Sequence, residues 1–229
     1  MSHLLDNMIW NAINSGDSDK AIVDGDAGCY REDIAPFAGL KELHKANLDK
    51  LHELIIPNRK VAISYFGTIS IDQNKWQRRQ PMECCQMVYA CPVEKFTTKN
   101  SQQVVPLADE HIQQMLELTA LTKPGPFLQR TIDFNNYFGV FVDGRLAAMT
   151  GQRMHPTPYM EVSAVCTHPD FRGQGYAKAC MLHVMQLILD NSFIPFLHVL
   201  ASNATAIRLY ESIGFRVRTG INIEMIKRR

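Results

Sequence analysis

The chain has 229 residues, 46% of them hydrophobic and 21% charged, with a formal net charge of +1, a composition that belongs to folded rather than disordered chains. That charge balance supplies no polyanion-binding face, since Lys227, Arg228 and Arg229 form only a short basic tail, so no nucleic-acid partner is expected. No apolar run approaches bilayer length, and residues 1–10 carry Asp6 with no basic start, unlike a secretory signal, so a cytoplasmic protein away from membranes is expected.

In chain order, residues 3–13 predict a short helix after Ser2, ended by Ser15-Gly16. Residues 21–30 alternate loosely around Asp24-Gly25, a hairpin signal. Leu43, Leu48, Leu51 and Leu54, with Ala46 between them, fit one helix face within 40–55, and Pro57 stops it. Residues 61–66 and 82–90 read as buried strands. Nothing in this part carries a motif to which chemistry attaches. Residues 92–103 are polar, with Thr97, Thr98, Lys99, Asn100 and Ser101 in a row, and they place a boundary between an N-terminal region, 1–100, and a second unit, 101–229.

Beyond the boundary, Val104-Val105 reads as a short strand, and Asp109 is expected to cap a helix running to Leu121. Pro124-Gly125-Pro126 stiffens the loop that follows. Residues 137–142 and 146–153 flank Asp143-Gly144 as a hairpin. Residues 159–167 form another strand, and a glycine-bearing loop over 171–176 leads into a helix. A strand over 196–200 follows Pro195. Asn203 to Ile213 is a helix closed by Gly214, and two final strands are expected, 215–218 and 221–226. The six cysteines sit in apolar runs and no pair has Cys-x-x-Cys spacing, which suits reduced, packed thiols and argues against both a disulfide framework and zinc. No metal is expected.

Chemistry concentrates in residues 167–177, Thr-His-Pro-Asp-Phe-Arg-Gly-Gln-Gly-Tyr-Ala. A strand ends, a loop with Gly173 and Gly175 follows, and a helix begins. Glycines let the backbone approach a ligand, and unpaired N–H groups at a positive helix start suit an anion such as diphosphate. A tight turn with no ligand is the plainer reading of such a loop. No Gly-x-x-x-x-Gly-Lys-Ser/Thr occurs, and Lys178 breaks the dinucleotide fingerprint after Gly173-x-Gly175.

Arg172-x-x-Gly175-x-Ala177 resembles the Arg/Gln-x-x-Gly-x-Gly/Ala coenzyme A signature of the GNAT N-acyltransferases. Val165-Cys-Thr-His-Pro169 is similar to that family's preceding strand. Asn203-Ala-Thr-Ala-Ile-Arg-Leu-Tyr-Glu-Ser-Ile-Gly-Phe215 looks like its second motif, in the same chain order. The resemblance covers roughly residues 104–217, and Thr122 to Phe127 suggest a bacterial subgroup with an additional N-terminal part. It implies an α/β GNAT fold, a mixed and mostly antiparallel central sheet flanked by helices. Residues 1–100 would then be an α/β region, either a degenerate second GNAT-like half or an unrelated cap.

The resemblance also implies roles. Acetyl-CoA would be the cosubstrate, its pyrophosphate held by the main chain of Arg172, Gly173, Gln174, Gly175, Tyr176 and Ala177. Its pantetheine would run along Val165, Cys166 and Thr167, with Asn203 touching CoA while capping its helix. The side chain of Arg172 either follows the nucleotide or covers the loop. Strand alternation puts Glu161, Ser163, Val165 and Thr167 on one polar face, which is read either as the wall of a substrate groove or as an edge strand facing water. Amine attack on a thioester benefits from a general base, because a lysine-like ammonium has a pKa of about 10.4. Glu161 is the first candidate base, with a solvated strand-start charge as the alternative; His198 is the second, with a packed core histidine as its alternative. Tyr210 matches the tyrosine near the CoA sulfur and would act as the acid, although Ala206, Leu209, Tyr210 and Ile213 also form one apolar helix face.

The expected function is an N-acetyltransferase moving an acetyl group from acetyl-CoA to a primary amine of a small molecule or peptide by direct attack, favoured by Tyr210 and the polar Glu161. A non-catalytic acyl-CoA-binding regulatory module is the alternative, and the paired motifs disfavour an interaction protein with a fortuitous loop. Acceptors across the family include amino acids, peptide N-termini, lysines, polyamines and aminoglycosides. No residue pattern selects among them or fixes an oligomeric state. The acceptor groove is expected between Thr122–Phe127, the 153–159 loop and the N-terminal part.

Overall fold

A computed structural model describes residues 3–91 and 104–229. The N-terminal turn over Leu4–Asn7 is capped by the His3 ring, which accepts the Leu5 amide, and it leads into helix α1 (Met8–Ile13). Strands β1 (Ala21–Asp24), β2 (Ala27–Tyr30) and β3 (Ala38–Leu40) form a small antiparallel sheet in that order, its first hairpin turning at Gly25 as expected. Helix α2 (Lys45–Leu54) buries Leu48 and Leu51 against it. Strands β4 (Lys60–Tyr65), β5 (Trp76–Arg78) and β6 (Met82–Tyr89) follow.

From residue 104 onward come β7 (Val105–Pro106), α3 (Ile112–Thr122), β8 (Phe138–Val142), β9 (Arg145–Gln152) and β10 (Tyr159–Thr167). Helix α4 (Tyr176–Asp190), β11 (Ile194–Leu200), α5 (Ala204–Ser212) and β12 (Phe215–Arg228) complete the order. The large sheet runs β4-β12-β6-β11-β10-β9-β8-β7, with β5 paired to β12. Among the described residues only β10 and β11 are parallel neighbours in this sheet; its other strand pairings are antiparallel. This is the mixed, mostly antiparallel sheet flanked by helices that the sequence implies.

Alternation along the strands sorts side chains to the two faces of this sheet. One face packs Met87, Val162, Leu197 and Phe215 under Met181, Val184 and Ile188 of α4 and Tyr210 of α5. The other packs Phe196, Cys166 and Met149 under α1 and α3, through Met8, Ile9, Met115 and Leu118. Helix α1 is too short to stand alone in water; its place on the sheet comes from burying Met8, Ile9, Ala12 and Ile13.

Two local expectations are corrected. Asp109 does not cap α3: Asp109–His111 is a 3-10 turn, and the His111 Nδ1 accepts the Ala108 amide at 3.0 Å. The two final strands are one, β12, with a register shift between Val217 and Thr219 that bends it without ending it. The boundary over 92–103 lies outside the described residues, and the large sheet takes strands from both sides of it, because β6 sits between β11 and β12.

Phe196 lies at the centre of the sheet and is fully buried. Phe196→Ala is expected to lower the unfolding free energy by about 3–5 kcal/mol, read from the urea midpoint at constant slope.

Candidate active site

Parallel pairing between β10 and β11 is confined to three residue pairs, Tyr159 with Ile194, Met160 with Pro195 and Glu161 with Phe196. Beyond them the strands part, and a cavity of about 620 Å³ opens with Val165, Cys166 and Thr167 on one wall and His198, Val199 and Leu200 on the other. A bulge accompanies the parting. Between Ser163 and Cys166 the pairing with β9 shifts register, Ala164 takes φ +52°, and neither Ala164 nor Val165 has a register partner.

One end of the cavity is the glycine loop. Arg172, Gly173, Gly175, Tyr176 and Ala177 line it, followed in the chain by Lys178, and Lys123 lines the same cavity. Gly173 and Gly175 have φ of +78° and +81°, a region that side chains rarely adopt, and a Cβ on either would meet open space within 4 Å. Gly175 is the N-cap of α4 and offers no side chain to its amides. The first helical hydrogen bond runs from the Ala179 N–H to the Gly175 carbonyl at 3.0 Å, so the amides before it lack helical acceptors and face a positive helix start. Open space, free amides and cations together fit a diphosphate. Gln174 does not line the cavity; its Oε1 accepts the Tyr176 hydroxyl at 2.7 Å and braces the loop.

Asn203 and Tyr210 reach the same cavity from α5. The Asn203 Oδ1 accepts the Ala206 amide at 3.1 Å, so it caps the helix while lining the cavity. Tyr210 lies among Met181, Ile213 and Phe215, and burial pushes its phenol up to about 12. It is therefore both core and cavity wall, and it stays protonated near neutral pH.

Glu161 is placed differently from the expectation. Its alternation with Val165 is broken by the bulge, and it does not line the cavity among the described residues. The side chain is fully buried, and its carboxylate accepts from Arg153 Nε and Nη2, both at 2.8 Å, and meets His198 Nδ1 at 2.8 Å. Burial pushes that carboxyl up, but Arg153 and His198 outweigh burial and hold it far below the usual carboxylate range. A carboxylate held this way is a poor proton acceptor. His198 does line the cavity, yet both ring nitrogens are engaged, Nδ1 by Glu161 and Nε2 by the Gln86 amide nitrogen at 3.0 Å. Since a carboxylate only accepts, Nδ1 carries the hydrogen and Nε2 accepts from Gln86. Gln86 is in turn bound by Arg218 at 2.5 Å, and Arg218 by Asp6 at 2.6 Å. A polar row thus crosses the sheet from Arg153 to Asp6.

The far end of the cavity was not foreseen in detail. Phe37, Ala62, Met82, Cys84, Ile223 and Met225 form its apolar wall, from the chain before β4 and from β4, β6 and β12. Residues 122–126 and Arg153 contribute as expected, whereas 154–159 do not line it. Arg153 lies over the Phe37 ring at 4.8 Å. Among the described residues no cluster of metal-ligating side chains is present, and no helix is long and apolar enough to cross a membrane.

Comparison with known proteins matches residues 107–215 to the acetyltransferase (GNAT) family. A GNAT-family protein of known structure from Novosphingobium aromaticivorans is 30% identical, with 100% of both chains covered and a TM-score of 0.90. An N-acetyltransferase from Kribbella flavida shares the fold at 12% identity and a TM-score of 0.61, over 96% of this chain and 95% of its own. The mycothiol acetyltransferase of Thermomonospora curvata is 36% identical over 74 residues, 32% of this chain; the match spans a quarter of that protein's length.

Replacing Glu161 by Gln removes the charge that neutralises Arg153. The expected loss is about 3–5 kcal/mol of unfolding free energy at neutral pH. Because the folded-state pKa is depressed, the carboxylate's contribution is complete above the unfolded value of about 4.3 and fades as pH falls below it. Urea unfolding of both proteins should therefore show a gap at pH 7 that narrows below about pH 4; parallel curves throughout would rule out the ion pair as its source.

Proposed function

Because the chain belongs to the GNAT acetyltransferase family, we propose that it transfers the acetyl group of acetyl-CoA to a primary amine by direct attack. The observation that carries this reading is the parting of β10 and β11 over a cavity whose one end is the open glycine loop. When bound, acetyl-CoA supplies a thioester carbonyl as the electrophile. The amides ahead of Ala179 hold its diphosphate, assisted by Arg172, Lys178 and Lys123. Val165 and Cys166 offer main-chain groups to the pantetheine as an added strand would. The bulge leaves Val165, which lines the cavity, without a register partner on β9, so its main chain is offered to polarise the thioester oxygen.

Tyr210 gives its proton to the departing thiolate. Glu161 and His198 act as positioning residues that orient one another and Arg153. The ammonium loses one proton to water as it enters an apolar space, and after attack the nitrogen's second proton leaves to water while Tyr210 regains its own from solvent. The same cavity serves a regulatory module that binds acyl-CoA without turnover, and release of free CoA separates the two.

Tyr210→Phe is expected to lower kcat by about 10²- to 10⁴-fold while leaving acetyl-CoA affinity unchanged, measured by free-thiol release and by calorimetry. Unchanged turnover would remove the tyrosine from the chemistry. Gly175→Val, at φ +81°, should abolish acetyl-CoA binding; a variant that binds normally would refute the loop assignment.

A further inference from the structure

The acceptor end of the cavity has a definite chemical character. Its wall of Phe37, Ala62, Met82, Cys84, Ile223 and Met225 is apolar, and among the described residues lining the whole cavity there is no aspartate or glutamate. A polycation placed there would leave its ammonium groups without counter-charge, which is costly. Among the described residues lining the cavity, Arg153 is the charged side chain that stacks on this wall, over Phe37. Its Nε and Nη2 are taken by Glu161, while Nη1 makes no hydrogen bond among the described residues and lies beside Gly125 of the cavity-lining loop, 3.8 Å from where a Cβ on that glycine would stand. Stacking on Phe37 and the bidentate pairing with Glu161 fix the guanidinium, so Nη1 is a preorganised N–H donor for an acceptor oxygen.

Proton bookkeeping points the same way. Glu161 and His198 are both engaged, so an acceptor that needs a strong base is poorly served. The α-amine of a chain terminus, with a pKa of about 7.7–8.0, is partly uncharged near neutrality, whereas an alkylammonium near 10.4 is not.

Resting on the acetyl-transfer reading above, we infer that the acceptor is an α-amine flanked by a carbonyl or carboxylate and bearing an apolar side chain, with Arg153 Nη1 binding that oxygen and the Phe37–Met225 wall taking the side chain. Free amino acids and peptide N-termini share the flanking oxygen and side chain, and the lower amine pKa belongs to the peptide N-terminus. Arg153 is then the residue that selects the acceptor, and polyamines are excluded.

The test follows CoA release from the full-length protein with saturating acetyl-CoA and four amines: phenylalanine, phenylalaninamide, phenethylamine and spermidine. One of the first two should show kcat/KM about 10- to 100-fold above phenethylamine, the value of one hydrogen bond to a charged group, with no release from spermidine. Preference for phenylalanine identifies the free amino acid, and preference for its amide a peptide N-terminus. Arg153→Lys should erase the advantage over phenethylamine without changing the KM for acetyl-CoA. The inference is overturned if spermidine is used, or if phenethylamine matches both. Should none of the amines release CoA, acetyl transfer itself fails, and calorimetry on the CoA-saturated protein decides the acceptor class. Binding of phenylalanine or its amide, with none of spermidine, upholds it; any other pattern overturns it.

Discussion

A single buried carboxylate organises the centre of this molecule. Glu161 sits at the last paired position before β10 and β11 separate, and it holds Arg153 on one side and His198 on the other. Burying an ion pair rarely adds stability over an apolar substitute, but losing one partner is severe. The pair therefore fixes geometry more than it stabilises. It keeps the strands joined up to one residue, sets the tautomer of His198, and orients a guanidinium toward the space beyond. Through Gln86 and Arg218 the same row reaches Asp6 in the N-terminal turn, so the first turn of the chain is tied to the cavity wall.

Much of the glycine-loop end of the cavity was legible in the sequence, for physical reasons that are local. Gly173 and Gly175 sit where backbone must adopt positive φ, and Asn203 and Gly214 bracket a helix by capping chemistry that needs no tertiary context. Such signals survive in one dimension. The hairpin at Asp143-Gly144 and the strand over 159–167 were readable on the same basis.

The apolar end of the cavity was not legible, because it is made of residues that only topology brings together. Ala62, Met82, Cys84 and Ile223 look like ordinary strand interiors, and nothing in their spacing marks a binding wall. Glu161 was misplaced because strict alternation was carried through a bulge, which a period of two cannot reveal. The pairing of Arg153 with Glu161 joins the ends of two antiparallel strands, and no pattern in the sequence announces that their charges meet.

β12 lies between β4 and β6, so two strands made early in synthesis are held apart until a strand made much later arrives to fill the gap. Pairings of such long sequence separation carry a large loop-closure entropy and form slowly. On the ribosome, the glycine loop and α4 can be complete while the apolar wall is still two disconnected edges. The nascent protein thus completes the glycine-loop end of its cavity before the opposite, apolar end is closed.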